Sequence, residues 1–390
     1  MSYFSRSVLL LIIISLSTFG MAAEKTKSKK KQPPTDFEKA VLAYDKKDYA
    51  TALMLLFPLA EAGDKEAQYR LGKMYLDQKG QRKDPSEAAA WVRKSAQQKH
   101  IAAQRLMGQM YLKGVGVKRN FKQAANWLLK AARQKDAESQ YIIGKMYYHG
   151  DGVPRSPGKA AYWYQKAAKQ NHTEAQNKLA MMYLKGDGIK KKPKKAKKWF
   201  EKAALAGNAH AQINLAKLYL HSDVLKKDKQ KAFKWYSKAA ALGNAEAQNQ
   251  LGEMYQNGFA TAKDLKKAFN WYSKAAKQGN LQAHFNLGRA YVNGYGVKKN
   301  FEKGVAHFRK AAEKGHGQAQ LNMGVAHYTG KGAARNPVIA YAWFYVAAAS
   351  NVKDARKTKN ALYKKLSTDE KKKAVALATE YKRKYFHPPL

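Results

Sequence analysis

From residue 64 onward the apolar positions fall on two helical faces that alternate along the chain. Ala247, Leu251, Met254 and Tyr255 lie at i, i+4, i+7 and i+8, one stripe on one side of a helix, here called A. Ala124, Trp127, Leu128 and Ala131 lie at i, i+3, i+4 and i+7, a second stripe on a helix called B. The pattern keeps one period. All seven tryptophans, Trp91, Trp127, Trp163, Trp199, Trp235, Trp271 and Trp343, stand 36 residues apart or at a multiple of it, and His307 fills the one missing slot. Two amphipathic helices cannot bury both stripes without neighbours, so a unit copied this often predicts a stack of helical hairpins.

Other columns mark where the helices start and stop. Asp64, His100, Asp136, His172, Asn208, Asn244, Asn280 and His316 precede helix A, and the Asp and Asn members read as N-caps. Helix B opens with Asp84-Pro85, Ser156-Pro157 and Asn336-Pro337, a capping residue followed by proline at the first helical position. Inside helix A runs a small-residue column, Gly72, Gly108, Gly144, Ala180, Ala216, Gly252, Gly288 and Gly324. A helical glycine costs about 1 kcal/mol relative to alanine, so its repeated use predicts close approach of a neighbouring helix. Paired glycines such as Gly114 and Gly116 suit positive φ between A and B. Their G-x-G spacing follows no strand pattern and recurs in most units, which argues against a phosphate-binding loop.

The expected architecture is therefore an all-α, α-α superhelical solenoid of about eight 36-residue hairpins with helical caps at both ends. The units span 64–99, 100–135, 136–171, 172–207, 208–243, 244–279, 280–315 and 316–351. A capping hairpin is expected over 36–63. A C-terminal helical cap is expected over 352–390, with the capping-box pattern Ser367-Thr368-Asp369-Glu370 inside it. Ahead of these, Arg6, the apolar run Val8 to Leu16 and the small residues around Gly20-Met21-Ala22 read as a secretory signal over 1–22, cut after Ala22. The run is shorter than the ~20 residues needed to cross a bilayer, so no membrane span is expected after cleavage. An exported protein, periplasmic or secreted, is the expectation. With no cysteine there is neither a disulfide framework nor a lipid-anchor site.

Charge changes the picture of partners more than that of the fold. Lys and Arg number 74 against 28 Asp and Glu, a formal net charge of +46. Residues 23–35 form a basic linker expected to be disordered. Within the repeats, Lys118, Arg119, Lys190, Lys191, Lys192, Lys226 and Lys227 gather where the hairpin loop meets helix B, continued by Lys194, Lys195, Lys197 and Lys198. Recurrence of that slot aligns them along one edge, a stripe suited to an anionic polymer such as lipopolysaccharide, a glycan or nucleic acid. Nucleic acid is the least favoured, because the aromatic columns belong to the core stripes and make poor stacking platforms.

Nothing points to catalysis, a cofactor or a metal. His307, His316 and His327 lie near one another in sequence, but no carboxylate or thiolate is spaced to complete a ligand set. Glu66, Glu138, Glu174 and Glu246 recur in the exposed first turn of helix A, where negative charge complements the helix dipole. The methionines Met74, Met110, Met146, Met182 and Met254 read as core filler.

Read in order, the columns give A-Q-x-x-L-G-x-M-Y-x-x-G-x-G-V-x-x-N-x-x-x-A-x-x-W-x-x-K-A-A, best matched from Ala103-Gln104 to Lys130-Ala131-Ala132. This pattern resembles the Sel-1-like repeat family, a relative of the tetratricopeptide repeats. The resemblance implies a right-handed superhelix that binds proteins, and an envelope or host-contact role for exported bacterial members. The binding positions would be exposed ones on the A helices, such as Arg70, Lys73, Gln109 and Gln250, on a concave surface. A family branch with disulfide-fastened hairpins acts on penicillins; without cysteine that activity does not carry over, and a cell-wall or β-lactam hydrolase is a minor alternative. Ser222, Val224 and Ala260 depart from the glycine columns, so those loops are candidates for a different shape.

Overall fold

The computed structural model describes residues 34–79, 84–221 and 226–386; the expected signal sequence with its expected cleavage after Ala22, most of the expected basic linker, and Ser222 and Val224 lie outside them. The described residues form twenty helices and no strand. A first hairpin, α1 (Asp36–Asp45) and α2 (Tyr49–Glu61), leads into eight more. These are α3 (Lys65–Asp77) with α4 (Pro85–Gln97), α5 (Ile101–Lys113) with α6 (Phe121–Arg133), α7 (Ala137–His149) with α8 (Pro157–Lys169), and α9 (Thr173–Lys185) with α10 (Pro193–Leu205). Then come α11 (Ala209–His221) with α12 (Lys229–Ala241), α13 (Ala245–Asn257) with α14 (Leu265–Lys277), α15 (Leu281–Asn293) with α16 (Phe301–Ala312), and α17 (Gly317–Thr329) with α18 (Pro337–Ala349). Two further helices, α19 (Ala355–Lys365) and α20 (Thr368–Tyr385), close the end. Each helix packs chiefly on its sequence neighbours, as in a solenoid, and α20 folds back past α19 onto α18.

The small-residue column sets how closely A and B approach within a repeat. A Cβ added to Gly72 would lie 2.6 Å from Val92, and one added to Gly252 would lie 2.6 Å from Tyr272. The partner is always the residue after the tryptophan position. Leu128, Phe200, Tyr236, Tyr272 and Phe344 occupy that slot fully buried. Here the structure corrects the sequence reading. Only Trp91 and Trp343 are buried, whereas Trp127, Trp163, Trp199, Trp235 and Trp271 are half-buried at the rim of the core. Their outer faces carry lysines one turn on: Lys94 lies 4.0 Å from the Trp91 ring centroid, Lys130 4.2 Å from Trp127 and Lys274 4.3 Å from Trp271. Such cation–π contacts are worth about 0.5–1 kcal/mol at exposed sites.

Left-handed turns close each unit. Gly116 has φ +67, and a Cβ there would collide with the carbonyl of Pro85 at the start of the preceding helix B. Ala260, in the same column, adopts φ +63, so this loop keeps the shape of the glycine loops and carries the strain of a side chain in that region.

Three polar devices join one repeat to the next. His100, His172 and His316 cap their helices as the Asp and Asn members do, the ring Nδ1 accepting from the backbone of Ala103, Ala175 and Ala319 at 3.2 Å. An accepting Nδ1 places the proton on Nε2, which donates to Glu66 and Glu138 of the previous repeats at 2.9 Å. Asn208 donates to Glu174 in the same way at 2.7 Å. The first-turn carboxylates are thus inter-repeat ties as well as partners of the helix dipole.

The second device is a buried glutamine. Gln68, Gln104, Gln140, Gln176, Gln212, Gln248 and Gln320 each donate to a helix B carbonyl eight residues earlier, at 3.0–3.3 Å. Their Oε1 atoms accept from a residue thirty positions on: Gln98, Gln134, Gln170, Gln278 or Ser350. At Gln176 and Gln212 the corresponding residues are Ala206 and Leu242, and both buried Oε1 atoms lack a partner among the described residues.

The third device replaces two columns at once. In the seventh repeat His284 stands for the glutamine and His307 for the tryptophan, and their Nδ1 atoms meet at 3.0 Å. The contact requires one of the two Nδ1 atoms to donate and the other to accept. Both rings are held below the ordinary histidine value. For His307, burial first and then His284 and Lys310 bring it down to about 4; for His284, burial leads, followed by Lys310 and Lys314.

These joints can be tested in solution. Ala206→Gln supplies the absent donor to Gln176, and the urea midpoint should rise by an amount equivalent to about 1 kcal/mol; an unchanged midpoint contradicts the pairing. Because the folded rings resist protonation, their stabilising contribution is complete above the unfolded value near 6.5 and is lost as pH falls toward 4. A tenfold change in proton affinity corresponds to about 1.4 kcal/mol, and solvent screening of these partly buried rings brings the expected loss to about 2 kcal/mol. The His284→Gln, His307→Trp double variant should flatten the decline in melting temperature between neutral pH and pH about 5; equal slopes would refute the assignment.

Candidate interaction surfaces

Two surfaces remain open once the hairpins are stacked. One is the face formed by the A helices. Here the side chains between neighbouring A helices do not fill the space evenly, and clefts open at three levels. The first, about 150 Å³, lies between α1 and α3 and is lined by Val41, Tyr44, Tyr69, Arg70 and Lys73 among others. The second, about 110 Å³, lies between α7 and α9 and is lined by Lys145, Tyr148, His149, Lys178 and Lys185, with Asp187 at its edge. The third, about 710 Å³, lies between α15 and α17 with α16 as its floor.

The residues expected on this face divide. Lys73 is exposed at the first cleft, as anticipated. Arg70 also lines it but is half-buried, held to Glu66 at 2.9 Å and set over the Phe37 ring at 5.5 Å. Gln109 and Gln250 are half-buried. The largest cleft escaped the sequence reading altogether. Its signal is a break in the methionine column, where Ala290 and Ala326 stand in the last two repeats.

The second surface is the loop edge. Lys118, Arg119, Lys190, Lys191, Lys192, Lys194, Lys195, Lys198, Lys226 and Lys227 are all exposed there. Lys192 occupies the N-cap of α10 without a side-chain capping bond, where the B helices of the other repeats use Asp, Asn or Ser. Lys197 is the exception. It is half-buried and paired with Glu201 at 3.3 Å, one helical turn away. Among the described residues no other member of the set is in an ion pair, so the stripe's charge is not balanced locally.

The geometry assembles no acid–base pair from the recurring carboxylates, which are tied to caps and basic side chains of adjacent repeats. Burial pushes the hydroxyls of Tyr164, Tyr236 and Tyr272 upward, keeping them protonated within the core. The three histidines weighed as a metal cluster take separate partners: His307 meets His284, His316 caps α17, and His327 bonds the Ala334 carbonyl at 3.0 Å. Among the described residues no helix is long and apolar enough to cross a membrane.

Comparison with known proteins places this arrangement. No curated protein matches the chain. Among solved structures, c5321, a protective antigen present in uropathogenic Escherichia coli strains and displaying an SLR fold, is similar with TM-score 0.58 and 31% identity. The match covers 90% of this chain and 84% of that one. A Sel1 repeat protein from Oxalobacter formigenes is similar with TM-score 0.57 and 33% identity, over 63% of this chain and 96% of that one. A model of the Sel1 repeat matches residues 65–100, 101–136, 137–172, 173–208, 209–244, 245–280, 281–316 and 317–352. With most of its length in eight consecutive copies, this chain belongs to the Sel1 repeat family.

Proposed function

We propose that this protein is an exported, non-catalytic scaffold that holds a protein partner along its A-helix face. The observation that carries the reading is the recurrence of clefts on that one face, at the N-terminal end, the middle and the C-terminal end of the stack. A ligand that reaches more than one of them is long, as a polypeptide is. Solenoids present extended surfaces of this kind because each unit contacts only its neighbours. Export rests on Arg6, the apolar run Val8 to Leu16 and the small residues ending at Ala22. The similar c5321 is described as a protective antigen present in uropathogenic Escherichia coli strains, which fits this reading. A role in a bacterial envelope or in contact with host cells is consistent with both.

A second reading has its own observation. The exposed, locally unbalanced lysines at the loop edge suit an anionic polymer, in addition to or in place of a protein.

Crosslinking a tagged, exported form in its own cell should attach one defined protein; recovery of anionic material alone, released by salt, would defeat the scaffold reading. For the loop edge, binding to heparin or lipopolysaccharide should weaken steeply as salt rises, as when several cations displace counterions. Replacing Lys190, Lys191, Lys194 and Lys195 by glutamine should reduce that affinity by about tenfold or more, and unchanged affinity would remove the stripe from consideration.

A further inference from the structure

The cleft between α15 and α17 differs from the other two in size and in having no carboxylate in its lining. In most repeats a methionine fills the space beneath the hairpin loop; the Met110 methyl lies 3.2 Å from where a Cβ on Gly116 would sit. In the last repeat that position is Ala326, a shorter side chain that lines an open space together with Val305 and Phe301. The unfilled space opens into a groove of about 710 Å³ floored by Phe285, Phe301, Val305 and Phe308. That volume is in the range of sites that enclose a ligand, and such a floor favours an aromatic or branched aliphatic group.

The rim is cationic. Arg289 lies over the Phe285 ring at 5.8 Å and Lys331 over the Phe301 ring at 5.9 Å. Neither has an ion-pair partner among the described residues. Each of the other clefts has a carboxylate in its lining. In the first, Glu66 pairs with Arg70, and Asp187 borders the second. No carboxylate lines the third. Its cations sit at the edge of an apolar floor with no carboxylate among the described residues paired to them, so a fitting ligand supplies both the apolar group and the negative charge.

We infer that this groove is the docking site for an acidic linear segment of the partner, in which an aromatic or large aliphatic side chain enters the floor and flanking carboxylates meet Arg289 and Lys331. The inference rests on the scaffold reading and gives it a location and a recognition chemistry. A small aromatic acid or a polyanion held by the loop edge are the alternatives that the test separates.

The probe is a fluorescein-labelled peptide Asp-Glu-Phe-Glu-Asp, measured by fluorescence anisotropy against the full chain at near-physiological salt. It should bind, and replacing its phenylalanine by alanine should weaken binding by about tenfold. Ala326→Met, which restores the residue carried by five other repeats, should weaken it to a similar degree with an unchanged helical circular dichroism spectrum. The Arg289→Gln, Lys331→Gln double variant should lose affinity and flatten the salt dependence. The fourfold glutamine variant at Lys190, Lys191, Lys194 and Lys195 should bind as the parent does. Failure of the peptide to bind, indifference to Ala326→Met, or loss in the Lys190 variant would each overturn the groove. A phenylalanine-independent affinity would do the same. If a partner crosslinks equally well to the Ala326→Met chain, the scaffold reading stands and the groove falls.

Discussion

The whole stack depends on one steric constraint: helix A brings its backbone against a large side chain of helix B. The small residue at Gly72, Gly108, Gly144, Ala180 and their equivalents lets Val92, Leu128, Tyr164 or Phe200 lie over it, fully or nearly fully buried. Dense interiors tolerate little change in volume, so this pairing fixes the distance between the two helices. Once that distance is set, every other repeated contact falls into register. The buried glutamine reaches the carbonyl eight residues earlier, and the cap residue meets the carboxylate of the preceding repeat.

Most of this architecture was legible because the same few demands are written many times. Period, helix starts, the small-residue column and the positive-φ glycines follow from local rules that one copy states weakly and eight state strongly. What was misread concerned residues whose role is set across repeats. The tryptophans dominate the pattern by their rarity, yet the residue after each fills the deeper place, since only that one stands over the small column. His100 and His172 looked like lost caps because the ring nitrogen's capacity to accept was not weighed. Arg70 looked free because Phe37, its cation–π partner, belongs to the irregular first hairpin.

The candidate surfaces were legible to different degrees for the same reason. Loop lysines recur at a fixed slot, so their exposure could be anticipated, and only Lys197, paired within its own helix, is half-buried. The large groove arises from a deletion of volume at Ala326. A smaller apolar residue in an apolar column is nearly silent in sequence, although it leaves a site with the chemical contrast that binding requires. The charge of the groove becomes meaningful only beside the other clefts, each of which includes a carboxylate.

The glutamine joints also bear on how the rod yields. A solenoid's resistance to bending and fraying is the sum of its interfaces, each independent of distant ones. The joints holding Gln176 and Gln212 are adjacent, and each lacks one of its hydrogen bonds. Leu205 and Leu242, at the ends of α10 and α12 beside them, leave apolar surface in water, 73% and 59% exposed. Compliance is thereby concentrated near the centre of the molecule, between two better-fastened arms. In a stack of this kind, bending at the weaker central joints changes the angle between the ends at less cost than bending within either arm.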